Sequence, residues 1–300
     1  MAKVRKDKRG RNLHKGEYQR PDGRYAYAYR YNGKRVFIYD TDLASLRKKE
    51  QQIQADLIDG IRTYESSRLT LNDLFQVYME TKTNLKESTE SNYRYLWEHY
   101  IQHESIAEKA LSKIHKSDVK LLYAKLLQEG FASNSLESIN NLIHPVLELA
   151  VDDDLIRKNP SNGVYREMKT NAPVQRIALT SEQAKHFLQY IESSPQYCSW
   201  LPLFVTLLGT GMRASECTGL VWDNIDFENN CIHVDHALIY RSIHGNAKWY
   251  ISTLKTRNSV RTIPMISAVA QQLNFLYEKH IGKHAKPGPT LDGYHDFVFL

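Results

Sequence analysis

Two short stretches of the chain carry the residue types that phosphate chemistry needs. The first runs from Leu208 to Leu220 and contains Gly209, Gly211, Arg213 and Glu216. Glycines at 209 and 211 let a chain turn tightly after a helix, because neither carries a Cβ. Arg213 then stands at the start of the next helix, where backbone amides also face an anion. Its guanidinium is a planar fork that fits two oxygens of one phosphate. A plain surface ion pair is the competing reading, since Arg213 and Glu216 are spaced i,i+3. The second stretch, Thr253 to Pro264, reads as two strands around a basic turn that holds Lys255. A lysine on a hairpin tip can reach into bound DNA and donate a proton to a leaving oxygen. An exposed basic turn with no chemistry is the alternative there.

The elements that must position these groups are legible from periodicity and turn signals. Thr180 to Gln183 is a capping box that opens helices at 181–193 and roughly 201–209. Strands are expected near 231–239, 248–255 and 260–265, a helix near 267–280, and a last strand at 297–300. Upstream, 158–163 is a breaker cluster, and the polar stretch to Arg176 reads as an exposed linker. The segment before it is helical. Thr70 with Asp73 caps a stripe of Leu71, Leu74, Phe75 and Tyr78, and Tyr93, Leu96, Trp97, Tyr100 and Ile101 form a second. Ser117 is read as the cap of a third helix ended by Gly130. A fourth spans about 134–151 with Leu136, Ile139, Ile143 and Leu147 inward, where Pro145 should kink it or displace its start. The Asp152 to Asp154 run reads as a solvated helix end, not a metal site.

At the N-terminus, Tyr25, Tyr27, Tyr29 and Tyr31 alternate with Ala26, Ala28 and Arg30, the period of a strand. Asn32-Gly33 favours a type I′ hairpin turn, Lys34 to Tyr39 returns, and a strand near Glu17 to Arg20 precedes the Asp22-Gly23 turn. Leu43, Leu46, Ile53 and Leu57 mark a helix behind the sheet, ending near Gly60. The tyrosine row is expected to pack on that helix, leaving basic residues of the other face free for phosphates.

Charge agrees. The 300 residues carry a net +6, yet residues 1–35 hold twelve Lys and Arg against three Asp and Glu, so the other 265 net −3. That asymmetry favours a polyanionic partner; a solvated basic tail is the bland reading. The resulting DNA-contact set is Lys3, Arg5, Lys6, Lys8, Arg9, Arg11, Arg20, Arg24, Arg30, Lys34 and Arg35. With 42% hydrophobic and 25% charged residues the chain can bury a core. No apolar stretch is long enough to span a bilayer and no signal peptide is visible, so no membrane partner is expected. Cys198, Cys217 and Cys231 form no CxxC pair, which argues against disulfides and a structural zinc site and suits a reducing cytoplasm.

Together the two stretches resemble the tyrosine recombinase family, the phage-type integrases. Residues 210–216 match its T-G-x-R-x-x-E box and 255–264 its K-T-x-x-S-x-R-x-I-P hairpin. Asp7 to Arg11, Asp22 to Tyr25 and Asp292 to Tyr294 resemble integrases of conjugative transposons. The resemblance covers the whole chain and implies an α+β multidomain protein. An arm-type DNA-binding domain (1–64) would be a three-stranded sheet with one helix. A helical core-site DNA-binding bundle (65–168) and a partial mixed α/β catalytic domain (169–300) would follow. It further implies that Arg213 holds the scissile phosphate, Lys255 assists the departing 5′ hydroxyl and Glu216 supports the arginine. The reaction would be transesterification through a phosphotyrosyl link, without cofactor or metal, by tetramers on double-stranded DNA with arm-type and core-type sites.

One departure is plain. The family's His-x-x-Arg box, later His or Trp, and nucleophilic Tyr are not found after Lys255: His280, His284 and His295 are followed three residues on by Lys283, Pro287 and Val298. The catalytic domain therefore looks C-terminally incomplete, and these 300 residues are expected to be inactive alone. Integration or excision of a mobile element is the leading function. A non-catalytic protein competing for the same DNA sites is the alternative, and an RNA-binding module is a third class, since a small sheet backed by a helix also fits an A-form duplex.

Overall fold

A computed structural model describes residues 5–168, 177–243, 246–254, 256–282 and 288–299. The chain divides into two compact units, Met1–Val174 and Gln175–Leu300.

The first unit opens with antiparallel strands β1 (Glu17–Gln19), β2 (Tyr25–Tyr31) and β3 (Lys34–Asp40), in that order across the sheet. Asn32 and Gly33 both take positive φ, 46° and 77°, as the two-residue turn requires. Helix α1 (Leu43–Ile58) starts where the Asp42 carboxylate accepts the Ala44 and Ser45 N–H groups at 2.9 Å. Its Leu43 and Leu46 pack on Tyr25 and Tyr27, so the tyrosine row is the inner face as expected.

The rest of this unit is helical: α2 (Thr63–Ser66), α3 (Leu71–Thr81), α4 (Glu87–Tyr100), α5 (Lys116–Gln128), α6 (Ser133–Asp152) and α7 (Val164–Met168). One cluster joins α3 to α7 and includes Trp97 stacked over Phe75 with ring centroids 4.0 Å apart. Leu136, Ile139, Ile143 and Leu147 are all fully buried, and Pro145 lies inside a helix that begins at Ser133. The cap of helix α5 lies two residues earlier than its serine suggested. Asp118 reaches back to the His115 N–H at 2.9 Å, so the box forms at 115 and Ser117 falls inside the helix. The expected linker is partly structured. Asn159, Ser161 and Val164 are buried, because Asn159 donates to His144 O at 3.0 Å and Glu148 Oε2 at 2.6 Å and accepts from Ser161. Polar side chains that bond one another can be buried, and composition alone reads them as exposed.

In the second unit, α8 (Ser181–Ser193) carries the Thr180–Gln183 capping box. Helices α9 (Leu201–Thr210) and α10 (Ala214–Thr218) follow, then β4 (Ile225–Asp226) and β5 (Cys231–Val234). Strands β6 (His236–Ile243) and β7 (Asn246–Thr253) come next, then β8 (Arg261–Pro264) and α11 (Ser267–Gly282). Strands β4, β5 and β8 form one antiparallel sheet and β6 and β7 a separate hairpin, so the expected strand 231–239 is two strands parted at Asp235. The expected last strand is not one. Phe297 makes a single bridge to Val221 and Val298 donates to Leu220 O at 2.9 Å; its apolar residues pack into the core instead of pairing. Leu300 lies outside the described residues. Among the described residues no helix is long and apolar enough to cross a membrane.

Candidate active site

Helix α9 ends at Gly211, whose φ of 65° is left-handed and lets the chain reverse within one residue. Gly209 has a different role from the expected turn. It lies inside α9, and a Cβ there would meet Val269 Cγ2 of α11 at 2.5 Å, so this glycine allows two helices to approach. Arg213 follows as the cap of α10. Its backbone N–H donates to Glu216 Oε2 at 2.9 Å and its Nη1 to Glu216 Oε1 at 2.6 Å. The i,i+3 ion pair is therefore present, but the arginine side chain stays 67% exposed while the carboxylate is 1% exposed. Anchored at one edge, the guanidinium keeps most of its donors for solvent or a ligand.

A third residue completes the cluster. Arg261, at the start of β8, donates through Nη2 to Glu216 Oε2 at 2.8 Å and through Nη1 to Ser259 O at 2.9 Å. Burial pushes the Glu216 carboxyl up, but hydrogen bonds from Arg261 and Arg213 outweigh it and hold the group at about 2, against an ordinary 4.5. Gly211, Arg213, Asn258, Ser259 and Arg261 line a concavity of about 370 Å³. Two guanidinium groups facing one polar concavity are a donor set that suits an anion. Sequence reasoning named the Arg261 position within its motif without giving it a role; the signal was an arginine in register on the strand after a basic turn. Lys255 lies outside the described residues. Tyr294 packs its ring on His236 with centroids 4.0 Å apart, which suits a structural tyrosine.

The basic residues of the first unit divide by environment. Lys3 lies outside the described residues, while Arg5, Lys6, Lys8, Arg9, Arg24, Arg30, Lys34 and Arg35 are exposed. Arg11 is committed internally: it donates to the buried Asp7 carboxylate at 2.8 Å and to Tyr25 Oη at 2.6 Å. Arg24 pairs with Asp22 at 2.8 Å, and Arg20 lies over the Tyr39 ring at 5.1 Å. The register puts Lys34 opposite Tyr31, in the row of the tyrosine face. On the opposite face Arg30 stands directly across from Arg35, which also lies over Phe37. Like charges facing each other across a strand pair are unfavourable until an anion joins them.

Comparison with known proteins agrees with this geometry. Residues 1–57 match the DNA binding domain of tn916 integrase, and residues 178–300 match the phage integrase family. The transposase from transposon Tn916 of Enterococcus faecalis is 29% identical over 315 residues, spanning 100% of this chain and 76% of the relative. A solved structure of the Tn1549 transposon integrase in complex with a circular intermediate DNA superposes with a TM-score of 0.70. It is 28% identical and covers 77% of this chain and 71% of that one. A lambda integrase tetramer bound to a Holliday junction shares the fold, with a TM-score of 0.51 at 20% identity over 89% of this chain and 76% of that one. Residues 178–300, which hold Arg213, Glu216 and Arg261, are thus a domain of the phage integrase family, and residues 1–57 are a DNA binding domain of the tn916 integrase type.

Proposed function

We propose that this chain binds double-stranded DNA through its basic three-stranded sheet and helical bundle and presents Arg213 to a scissile phosphate. The function is then site-specific integration and excision of a mobile element. The modules are residues 1–64 on arm-type sites, 65–168 on core-type sites and 169–300 for the reaction, with tetramers forming on DNA in the cytoplasm. The observation that carries this reading is the Arg213–Glu216–Arg261 cluster: one buried carboxylate fixes two arginines from separate segments around an open concavity. Positive groups preset where charge develops on a transferring phosphoryl group lower its barrier, the part a metal ion plays elsewhere. Lys255 would protonate the leaving 5′ oxygen, and a phosphotyrosyl link would conserve the bond energy until the second strand attacks. The DNA-bound Tn1549 relative supports the choice of duplex DNA.

A second reading is that these 300 residues by themselves occupy recombination sites without cutting. One experiment separates the two. The chain is incubated with nicked suicide substrates carrying the element ends, then run on denaturing gels beside a native mobility shift. Shifted DNA with no SDS-resistant adduct supports a binder that needs further residues for chemistry. An adduct assigns the nucleophile to a tyrosine already present. No shift on DNA, with a shift on duplex RNA, overturns both.

A further inference from the structure

Away from the arginine cluster, the β4–β5–β8 sheet has one buried and one open face. Ile225, Ile232 and Ile263 are in register with one another, with Ile225 and Ile232 in the core. On the open face Asp226 stands opposite Cys231, His233 is two residues further along the same strand, and Thr262 is opposite His233. A ligand oxygen of Asp226, the Cys231 Sγ and a His233 ring nitrogen all lie within 4.8 Å of one another.

From this geometry we infer that Asp226, Cys231 and His233 form a zinc-binding site on the open face of this sheet. The residue types are those zinc prefers: a thiolate, an imidazole and a carboxylate. The spacing agrees as well. Zn–S and Zn–N bonds of about 2.3 and 2.1 Å at a tetrahedral angle separate sulfur and nitrogen by about 3.6 Å. Cys231 Sγ and His233 Nε2 are 3.9 Å apart, so little movement is needed. Both remaining ligands are already oriented by neighbours. His233 Nδ1 lies 2.9 Å from Thr262 Oγ1, a hydroxyl able to accept the Nδ1–H and so leave the Nε2 lone pair for a metal. Asp226 is held by the Asn229 side-chain amide at 2.7 Å and by its backbone N–H at 2.9 Å. Three protein ligands leave one position open for water. The cluster of His14, Glu17 and Glu50 in the first unit is a weaker site, because a metal ion there would have to compete with the positive charge of Arg47, which donates to both Glu17 oxygens at 2.8 and 3.0 Å.

None of this shows as a CxxC pattern, since the ligands are gathered by a hairpin register. A bound ion would clip β4 to β5 beside β8, the strand that begins with Arg261. Binding to the folded form alone would then stabilise the second unit.

The test uses the tag-free, metal-free full chain titrated with Co²⁺ and then Zn²⁺. One equivalent of Co²⁺ should give a thiolate-to-metal charge-transfer band that Zn²⁺ removes, and Zn²⁺ should raise the thermal midpoint. Cys231→Ser should abolish the band, while His233→Ala and Asp226→Asn should weaken binding at least tenfold. Cys198→Ser, which changes the exposed thiol, should leave both readouts unchanged. His233 is exposed and Cys231 half-buried, so these variants should keep the metal-free circular dichroism and melting curve of the parent. Absence of a stoichiometric band in the parent, its persistence in Cys231→Ser, or its loss in Cys198→Ser overturns the inference.

Discussion

Replacing Glu216 by glutamine should destabilise the second unit by about 3 kcal/mol at neutral pH. The carboxylate is 1% exposed and receives Arg213 Nη1 at 2.6 Å, Arg261 Nη2 at 2.8 Å and the Arg213 N–H at 2.9 Å. Its pKa moves from 4.5 to about 2 on folding. At about 1.4 kcal/mol per pH unit, that interval corresponds to about 3 kcal/mol. The amide keeps the shape and can still accept the Arg213 N–H. It leaves both guanidinium groups without a counter-charge, and breaking a buried pair from one side is the costly way to lose it. Against a domain stability of about 5–15 kcal/mol this is a large fraction. The sign is fixed by a folded pKa below the unfolded one. The stabilisation is complete above pH 4.5 and drains away as pH falls through about 2. Urea unfolding of the full chain, followed by tryptophan fluorescence, measures it. Trp200, Trp222 and Trp249 lie in the second unit and only Trp97 in the first, so the signal reports mainly the unit concerned. Equal midpoints for Glu216→Gln and parent at neutral pH would refute the reasoning. So would a difference that stays constant as pH is lowered toward 2.

Three further outcomes are expected. Arg30→Ala or Arg35→Ala should each reduce the log–log salt slope of DNA binding by about 0.9. Each should leave the thermal midpoint level or higher, because one of two facing like charges is gone; an unchanged slope in both would remove the open sheet face from the DNA interface. Gly219→Ala should cost about 1–3 kcal/mol by overpacking. The new Cβ would sit 2.7 Å from the Leu238 backbone nitrogen, and urea melts equal to the parent would contradict that packing. In a form that also carries the family's His-x-x-Arg box and nucleophilic Tyr, Arg213→Ala should abolish strand cleavage while mobility shifts report DNA affinity within a few-fold. Cleavage at the parental rate would reduce Arg213 to a surface ion pair.

How much was legible follows from what each signal depends on. The hairpin at Asn32-Gly33, the Thr70 cap and the stripe through Leu136 and Leu147 are local, and they came through with their faces correct. Features requiring partners distant in sequence did not. Asn159 and Ser161 read as linker residues because their burial depends on His144 and Glu148 of another helix. Phe297 to Phe299 read as a strand because an apolar run does not say whether it pairs or plugs. Gly209 read as a turn residue, whereas its reason is the approach of Val269, sixty positions away. At the site, Arg213 and Glu216 were found because they are neighbours on one short motif. The part of Arg261 needed the strand register that brings it to Glu216.

Glu216 also shapes how this sequence can drift. A single carboxylate serves as counter-ion to two arginines forty-eight residues apart, yet the two are not equally dependent on it. Arg213 is mostly solvated, so its loss leaves the carboxylate paired with Arg261 and the surrounding structure intact. Arg261 is 31% exposed and loses its main partner if position 216 changes. Positions 213, 216 and 261 therefore differ in what they tolerate. A lineage freed from the need to cut DNA could discard the first arginine at little structural cost. Discarding either of the other two would instead remove a large fraction of the domain's stability.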